Sequence, residues 1–114
     1  MSDKTIDVAS VRALIASAPD TLLVDVRTPS EFEDARIDGA VNLPLGQADH
    51  RLKQVAEQAG DRRLVLVCRS DRRAHRCRAD LEAAGIRGAV VMTGGMIAWA
   101  AAGAPVLHGT GARR

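Results

Sequence analysis

Short unbroken apolar runs alternate along this chain with stretches in which apolar residues recur every three or four positions. Residues 22–26 (LLVDV), Leu64–Val67 (LVLV) and residues 89–92 (AVVM) have the length and β-branched content of strands covered on both faces. Ile6 marks a brief first strand, and residues 40–44 (AVNLP) a short one closed by Pro44. The intervening pattern is helical. Val8, Val11, Leu14 and Ile15 share one face up to the exit at Pro19, and residues 47–58 read as a helix stopped by Gly60. Ala74, Cys77, Leu81 and Ala84 line one face of a further helix, with Arg76, Arg78, Asp80 and Glu82 opposite and Gly85 at its end. Thr28, Pro29 and Glu31 form the N-cap, first helical position and capping-box partner of a short helix, and Phe32 supplies its apolar contact. A last helix containing Trp99 follows Thr93, Gly94 and Gly95.

Strands that alternate with helices throughout a chain predict an α/β fold with a parallel sheet between helical layers, because parallel neighbours need crossover connections. With 114 residues there is room for one core, and no repeat or linker divides it. The domain is expected over residues 1–107, with the small, polar residues 108–114 as a disordered tail. Phe32 and Trp99 are the only aromatic residues, so Val, Leu, Ile and Ala must build the core and no stacking platform for bases exists. The 16 basic residues are spread along the chain and leave a net charge of +2, which prompts no nucleic-acid partner. The N-terminal MSDKTIDVAS carries neither a signal-peptide core nor a membrane span, so a cytoplasmic setting with reduced thiols is expected.

Cys68 is the chemical focus. It stands at the carboxyl end of the LVLV strand, where open parallel sheets bind ligands. Arg69, Ser70, Asp71, Arg72 and Arg73 follow, three cations against one anion, for a loop charge of +2. Thiolates are the nucleophilic form of cysteine, and a helix N-terminus or nearby cations favour them. The backbone N–H groups of residues 69–73 are expected to converge as an anion-binding nest. Simple burial is the alternative for a strand-end cysteine, but four charged residues out of the next five make a poor setting for an inert thiol. Cys77, on the apolar helix face with Leu81, reads as core packing. Cys68, His75 and Cys77 lack the usual zinc spacings, so neither metal nor cofactor is expected. Asp25, Arg27 and Glu31 read as a salt-bridge network supporting the site, Gly94 and Gly95 as a tight turn or close approach, and Trp99 as core.

Three motifs, in order and at these spacings, resemble the rhodanese-like family of sulfurtransferases. They are DVRTPSEFEDARIDGAVNLPL over residues 25–45, CRSDRRA over residues 68–74, and TGGMIAWAAAGAPV over residues 93–106. The resemblance implies a three-layer α/β/α fold with a five-stranded parallel sheet. It also implies a Cys68 nucleophile that takes sulfur from a donor such as thiosulfate and holds it as a persulfide. Residues 69–73 would bind the donor, and cyanide, a thiol, or a thioredoxin-like or other sulfur-carrier protein would accept the sulfur. A protein-to-protein sulfur relay or a redox-sensing thiol is the competing reading, because each needs the same cysteine.

Related phosphatases place five residues between cysteine and arginine. Here only four separate Cys68 from Arg73, and the next position holds Ala74, which suits a cup for one sulfur. Two residues depart from the family pattern. Asp71 stands where glycine is frequent, which predicts a left-handed backbone there. Its carboxylate is expected to oppose an anionic donor unless Arg69 or Arg72 neutralises it, so Asp71→Gly should raise thiosulfate turnover. Arg36 stands where many relatives have histidine.

Overall fold

The run LVLV becomes the middle of the sheet. A computed structural model of the chain describes residues 4–18, 20–44, 54–55, 57, 60, 63–83 and 85–109. Among these, five parallel strands lie in the order β1 (Thr5–Ile6), β5 (Val90–Met92), β4 (Leu64–Val67), β2 (Leu22–Asp25) and β3 (Val41–Asn42). In register, Leu66 pairs with Val24 on one side and with Val91 on the other. The helices are α1 (Val8–Ser17), α2 (Pro29–Asp34), α3 (Arg72–Ala83) and α4 (Gly95–Ala101). The helix expected over residues 47–58 falls largely outside the described residues, and so does Ala84.

Strand periodicity sorts β4 between two cores. Leu64, Leu66 and Cys68 pack with Ala74, Cys77 and Leu81 of α3, while Val65 and Val67 face Val8 and Val11 of α1 and Met96 and Trp99 of α4. Alternate side chains of one continuous apolar run thus bury on opposite faces, as a doubly covered strand requires. Removing each such side chain from water contributes about 1.5–3 kcal/mol. Trp99 satisfies its indole by donating Nε1–H to the Pro105 carbonyl at 2.8 Å. The capping box of α2 forms as predicted: the Thr28 hydroxyl accepts the Glu31 N–H, and the Glu31 carboxylate accepts the Thr28 N–H.

A buried ion pair closes the carboxyl end of β2. Asp25 is wholly buried and Arg27 is 5% exposed. Arg27 Nε and Nη2 donate to Oδ1 and Oδ2 of Asp25 at 2.9 and 2.7 Å, and the Arg27 N–H reaches Oδ1 at 3.0 Å. Nη2 also donates to the Ala35 carbonyl at 2.6 Å, at the end of α2. Asn42 Nδ2 donates to the carbonyls of both Asp25 and Arg27 at 3.0 Å. One carboxylate therefore fastens β2 to α2, and the same backbone turn fastens β3.

Residues 107–109 meet the end of α2. Arg36 and Leu107 form an antiparallel bridge, the Gly109 N–H donates to the Glu33 carbonyl at 2.7 Å, and His108 Nδ1 lies 2.9 Å from the Asp34 carbonyl. The last carbonyls of α2, which no helical N–H can reach, take these groups as neighbours. Residues 110–114 lie outside the described residues. Arg36 is itself buried, with its guanidinium 5.4 Å from the Phe32 ring centroid and Nη1 directed at the Phe32 and Glu33 carbonyls. It finishes α2 and half-covers its aromatic residue. No helix among the described residues is long and apolar enough to cross a membrane.

Replacing Arg27 with Met would strand the Asp25 carboxylate in the interior. Urea unfolding of Arg27→Met should show a loss of about 3–5 kcal/mol, and a loss below about 1 kcal/mol would mean that Asp25 needs no ionic partner.

Candidate active site

The loop after β4 is built around the direction of its peptide groups. Cys68 is 1% exposed, and its Sγ accepts the Ala74 N–H at 3.4 Å. Its carbonyl accepts the Met96 N–H at 2.8 Å, and the Arg69 carbonyl accepts the Ile97 N–H at 3.0 Å. These are first-turn N–H groups of α4, whose N-cap, Gly94, offers no side chain to satisfy them. A trans peptide points its C=O and N–H in opposite directions. Fixing the carbonyls of residues 68 and 69 on α4 therefore turns the N–H groups of Arg69 and Ser70 away from it. The Ser70 carbonyl lies against Gly95 as well, since a Cβ added there would fall 2.6 Å from that oxygen and 2.7 Å from the Arg69 carbonyl carbon. Gly95 has a φ of +56° and lets the loop come that close.

On the other side, α3 begins at Arg72, and the His75 N–H returns to the Asp71 carbonyl at 3.0 Å. Arg72 and Arg73 are left as unpaired donors of a helix N-terminus. Among the described residues, none of the backbone N–H groups of residues 69–73 donates to a protein acceptor. Five consecutive donors without a protein acceptor, next to the Ala74 N–H at the sulfur, make a candidate anion cradle at Cys68. Such a cradle stabilises negative charge on that sulfur or on an atom bonded to it.

The charged side chains around it are arranged in pairs. Arg73 binds Glu31 in a two-pronged contact, Nη1 to Oε1 at 2.8 Å and Nη2 to Oε2 at 3.0 Å. The Arg73 hydrogen bonds hold the Glu31 carboxyl down at about 2, with the Thr28 N–H and hydroxyl assisting. Arg73 is in turn held above its ordinary value, first by Glu31 and then by the charges of Cys68 and Asp25. Asp25, Arg27 and Glu31, expected as one network, thus belong to two pairs that meet on α2. Arg73 has its guanidinium planted on Glu31. Arg69, Ser70 and Arg72 are exposed on the loop, and among the described residues neither Arg69 nor Arg72 meets a carboxylate.

Asp71 departs from its sequence expectation in its backbone. Every described residue with positive φ is a glycine, so Asp71 has an ordinary backbone conformation. Its carboxylate is engaged by neither Arg69 nor Arg72; Oδ1 accepts the Gly94 N–H at 2.8 Å. Cys77 is fully buried against the sheet beside Leu81, and no disulfide joins it to Cys68. The sequence reading missed the part played by the start of α4. The consecutive glycines Gly94 and Gly95 were its signal, but what they approach became visible only in three dimensions.

A sequence profile of the rhodanese-like domain matches residues 7–102. A sulfurtransferase of Allochromatium vinosum is 35% identical over 102 residues, which cover 90% of this chain and 92% of that protein. The probable adenylyltransferase/sulfurtransferase MoeZ of Mycobacterium tuberculosis is 33% identical over 84% of this chain, which spans 24% of that longer protein. Among solved structures, a thiosulfate sulfurtransferase from Pseudomonas aeruginosa superposes with a TM-score of 0.81 at 25% identity, covering 94% of this chain and 20% of that one.

Two predictions follow from the loop and its ion pair. Gly95→Ala and Gly103→Ala both place a side chain at positive φ, but only residue 95 faces the loop, whereas nothing lies within 4 Å of residue 103. Thermal unfolding should show Gly95→Ala less stable than Gly103→Ala by about 1–3 kcal/mol, and equal losses would mean that the loop does not rest on residue 95. Glu31 titrates lower in the folded chain than its ordinary 4.5, so its pairing stabilises the fold above that pH and the benefit disappears as pH falls toward 2. With both side chains about one-third exposed, Glu31→Gln should cost about 1 kcal/mol at neutral pH. That difference from wild type should close on acidification; a gap constant down to the acid transition would show that the ion pair is not its source.

Proposed function

The chain belongs to the rhodanese-like domain family of sulfurtransferases, and from that membership we propose that it moves sulfane sulfur from a small anionic donor such as thiosulfate, through a persulfide on Cys68, to cyanide or a thiol. The observation that supports this reading is that the Ala74 N–H donates to the Cys68 sulfur while, among the described residues, none of the N–H groups of residues 69–73 has a protein acceptor.

The thiolate attacks the outer sulfur of thiosulfate. A sulfur–sulfur bond forms to Cys68 as the donor's own sulfur–sulfur bond breaks, and sulfite departs with the electron pair. The charge of minus three before the step is shared afterwards between a singly charged persulfide and doubly charged sulfite. An acceptor thiolate or cyanide then attacks the outer sulfur and restores the Cys68 thiolate. Each half is easier than direct transfer between two anions. The loop N–H groups meet the charge on the outer sulfur at both stages, and their orientation is fixed before reaction by α4.

Donor choice follows from access and charge. Cys68 is almost fully enclosed, which favours a slim donor, and Arg69 and Arg72 on the exposed loop attract an anionic one. The four-residue spacing between Cys68 and Arg73 supports a cradle for one sulfur over one for a phosphate. A thioredoxin-like protein or another sulfur carrier in a reducing, cytoplasmic setting is the natural macromolecular acceptor.

Intact-protein mass spectrometry after incubation with thiosulfate tests the reading. Wild type and Cys77→Ser should gain one sulfur that cyanide removes, and Cys68→Ser should gain none. Absence of the gain from wild type, with loading only by a protein persulfide, would replace the small-molecule enzyme by a relay.

A further inference from the structure

Asp71 immediately precedes α3, so it occupies the N-cap position of that helix. An aspartate there ordinarily turns its carboxylate onto the N–H of the second or third helical residue, which here are Arg73 and Ala74. Those donors belong to the cradle, and Ala74 already donates to the Cys68 sulfur. A capping carboxylate would occupy them and bring a negative charge onto the reacting atom. The carboxylate is instead held 2.8 Å from the Gly94 N–H, on the side of the loop facing α4. It joins the Cys68 and Arg69 carbonyls as a third acceptor at the start of that helix.

We propose that Asp71 is a positioning residue: its hydrogen bond to the Gly94 N–H clamps the loop on α4 and keeps the carboxylate off the N-terminus of α3, leaving the N–H groups of Arg73 and Ala74 to the sulfur of Cys68. The proposal rests on the sulfur-transfer reading for its purpose, and on the hydrogen-bond geometry alone for its mechanics. It reverses the expectation that glycine at this position would improve the site. The glycine variant lacks the acceptor that anchors the last residue before the helix, and it loosens the turn from which the cradle is aimed.

Charge and clamping make opposite predictions for the thiol. Removal of a nearby carboxylate, acting through charge alone, lowers the pH at which Cys68 ionises. Loss of the clamp raises it, because the donors no longer converge on the sulfur. The other charged groups around Cys68 are the same in every variant: Arg73 with Glu31 from α2, Asp25 with Arg27 from the end of β2, and Arg69 and Arg72 on the loop.

The test is a titration of thiolate ultraviolet absorbance, taken for each variant as the difference from the same variant carrying Cys68→Ser, together with single-turnover sulfur loading from thiosulfate. Asp71→Ala should move the titration midpoint upward and slow loading roughly tenfold, a smaller effect than complete removal of a charge-stabilising donor. Asp71→Asn, which keeps an acceptor oxygen without the charge, should recover most of the loading with a midpoint at or below wild type. An Asp71→Ala midpoint at or below wild type, with loading undiminished, would overturn the clamp. A raised midpoint in a protein whose wild type takes no sulfur from thiosulfate would leave the clamp standing and refute the small-molecule donor reading instead.

Discussion

The site depends on an exchange of hydrogen bonds between two neighbouring segments. The first turn of α4 has N–H groups with no helical acceptor, and the loop after β4 supplies the Cys68 and Arg69 carbonyls to them. Each segment thereby satisfies the other's backbone. Because peptide groups are planar, the same bonds decide where the opposite edges of the loop peptides point. The candidate anion cradle is therefore the reverse side of a helix cap. Gly95 makes the arrangement possible, since any side chain there would occupy the space of the loop carbonyls.

Electrostatics around the cradle are partitioned rather than summed. A count of loop charges gives +2, but the folded chain assigns Arg73 to Glu31 and directs the Asp71 carboxylate to a backbone N–H. The loop N–H groups keep no protein acceptor among the described residues, and Arg69 and Arg72 stay exposed. Rigid backbone dipoles suit a single anionic sulfur, since they need no reorganisation as charge moves from donor to persulfide. The two arginine–carboxylate pairs serve another end. One joins β2 to the end of α2, and the other joins the start of α2 to α3, so the helix beside the site is held at both ends.

Much of this was legible in the sequence because it is encoded locally. The run LVLV, the capping box at Thr28 and the helical spacing of Ala74, Cys77 and Leu81 each declare an element through neighbours a few residues away. Cys68 was legible for the same reason, as a strand-end thiol followed by charge. The missing pieces are long-range contacts. Glu31 and Arg73 are 42 residues apart and Asp71 and Gly94 are 23 apart, and no local rule pairs them. The expectation of a left-handed Asp71 failed because the bends the fold needs are taken by glycines, Gly94 and Gly95 among them. His108 and Gly109 meet the exposed carbonyls at the end of α2, contacts that for His108 and Asp34 span 74 residues of chain and for which no local rule exists.

The central claim is that the N–H groups of residues 69–73 hold an anionic sulfur attached to Cys68. A crystal structure of the protein after thiosulfate treatment tests it most directly. The account predicts added density for one atom bonded to the Cys68 Sγ, within hydrogen-bond distance of several of those N–H groups, with the Arg73–Glu31 contact intact. An added sulfur directed away from the loop amides, or held by Arg73 after its release from Glu31, would contradict it.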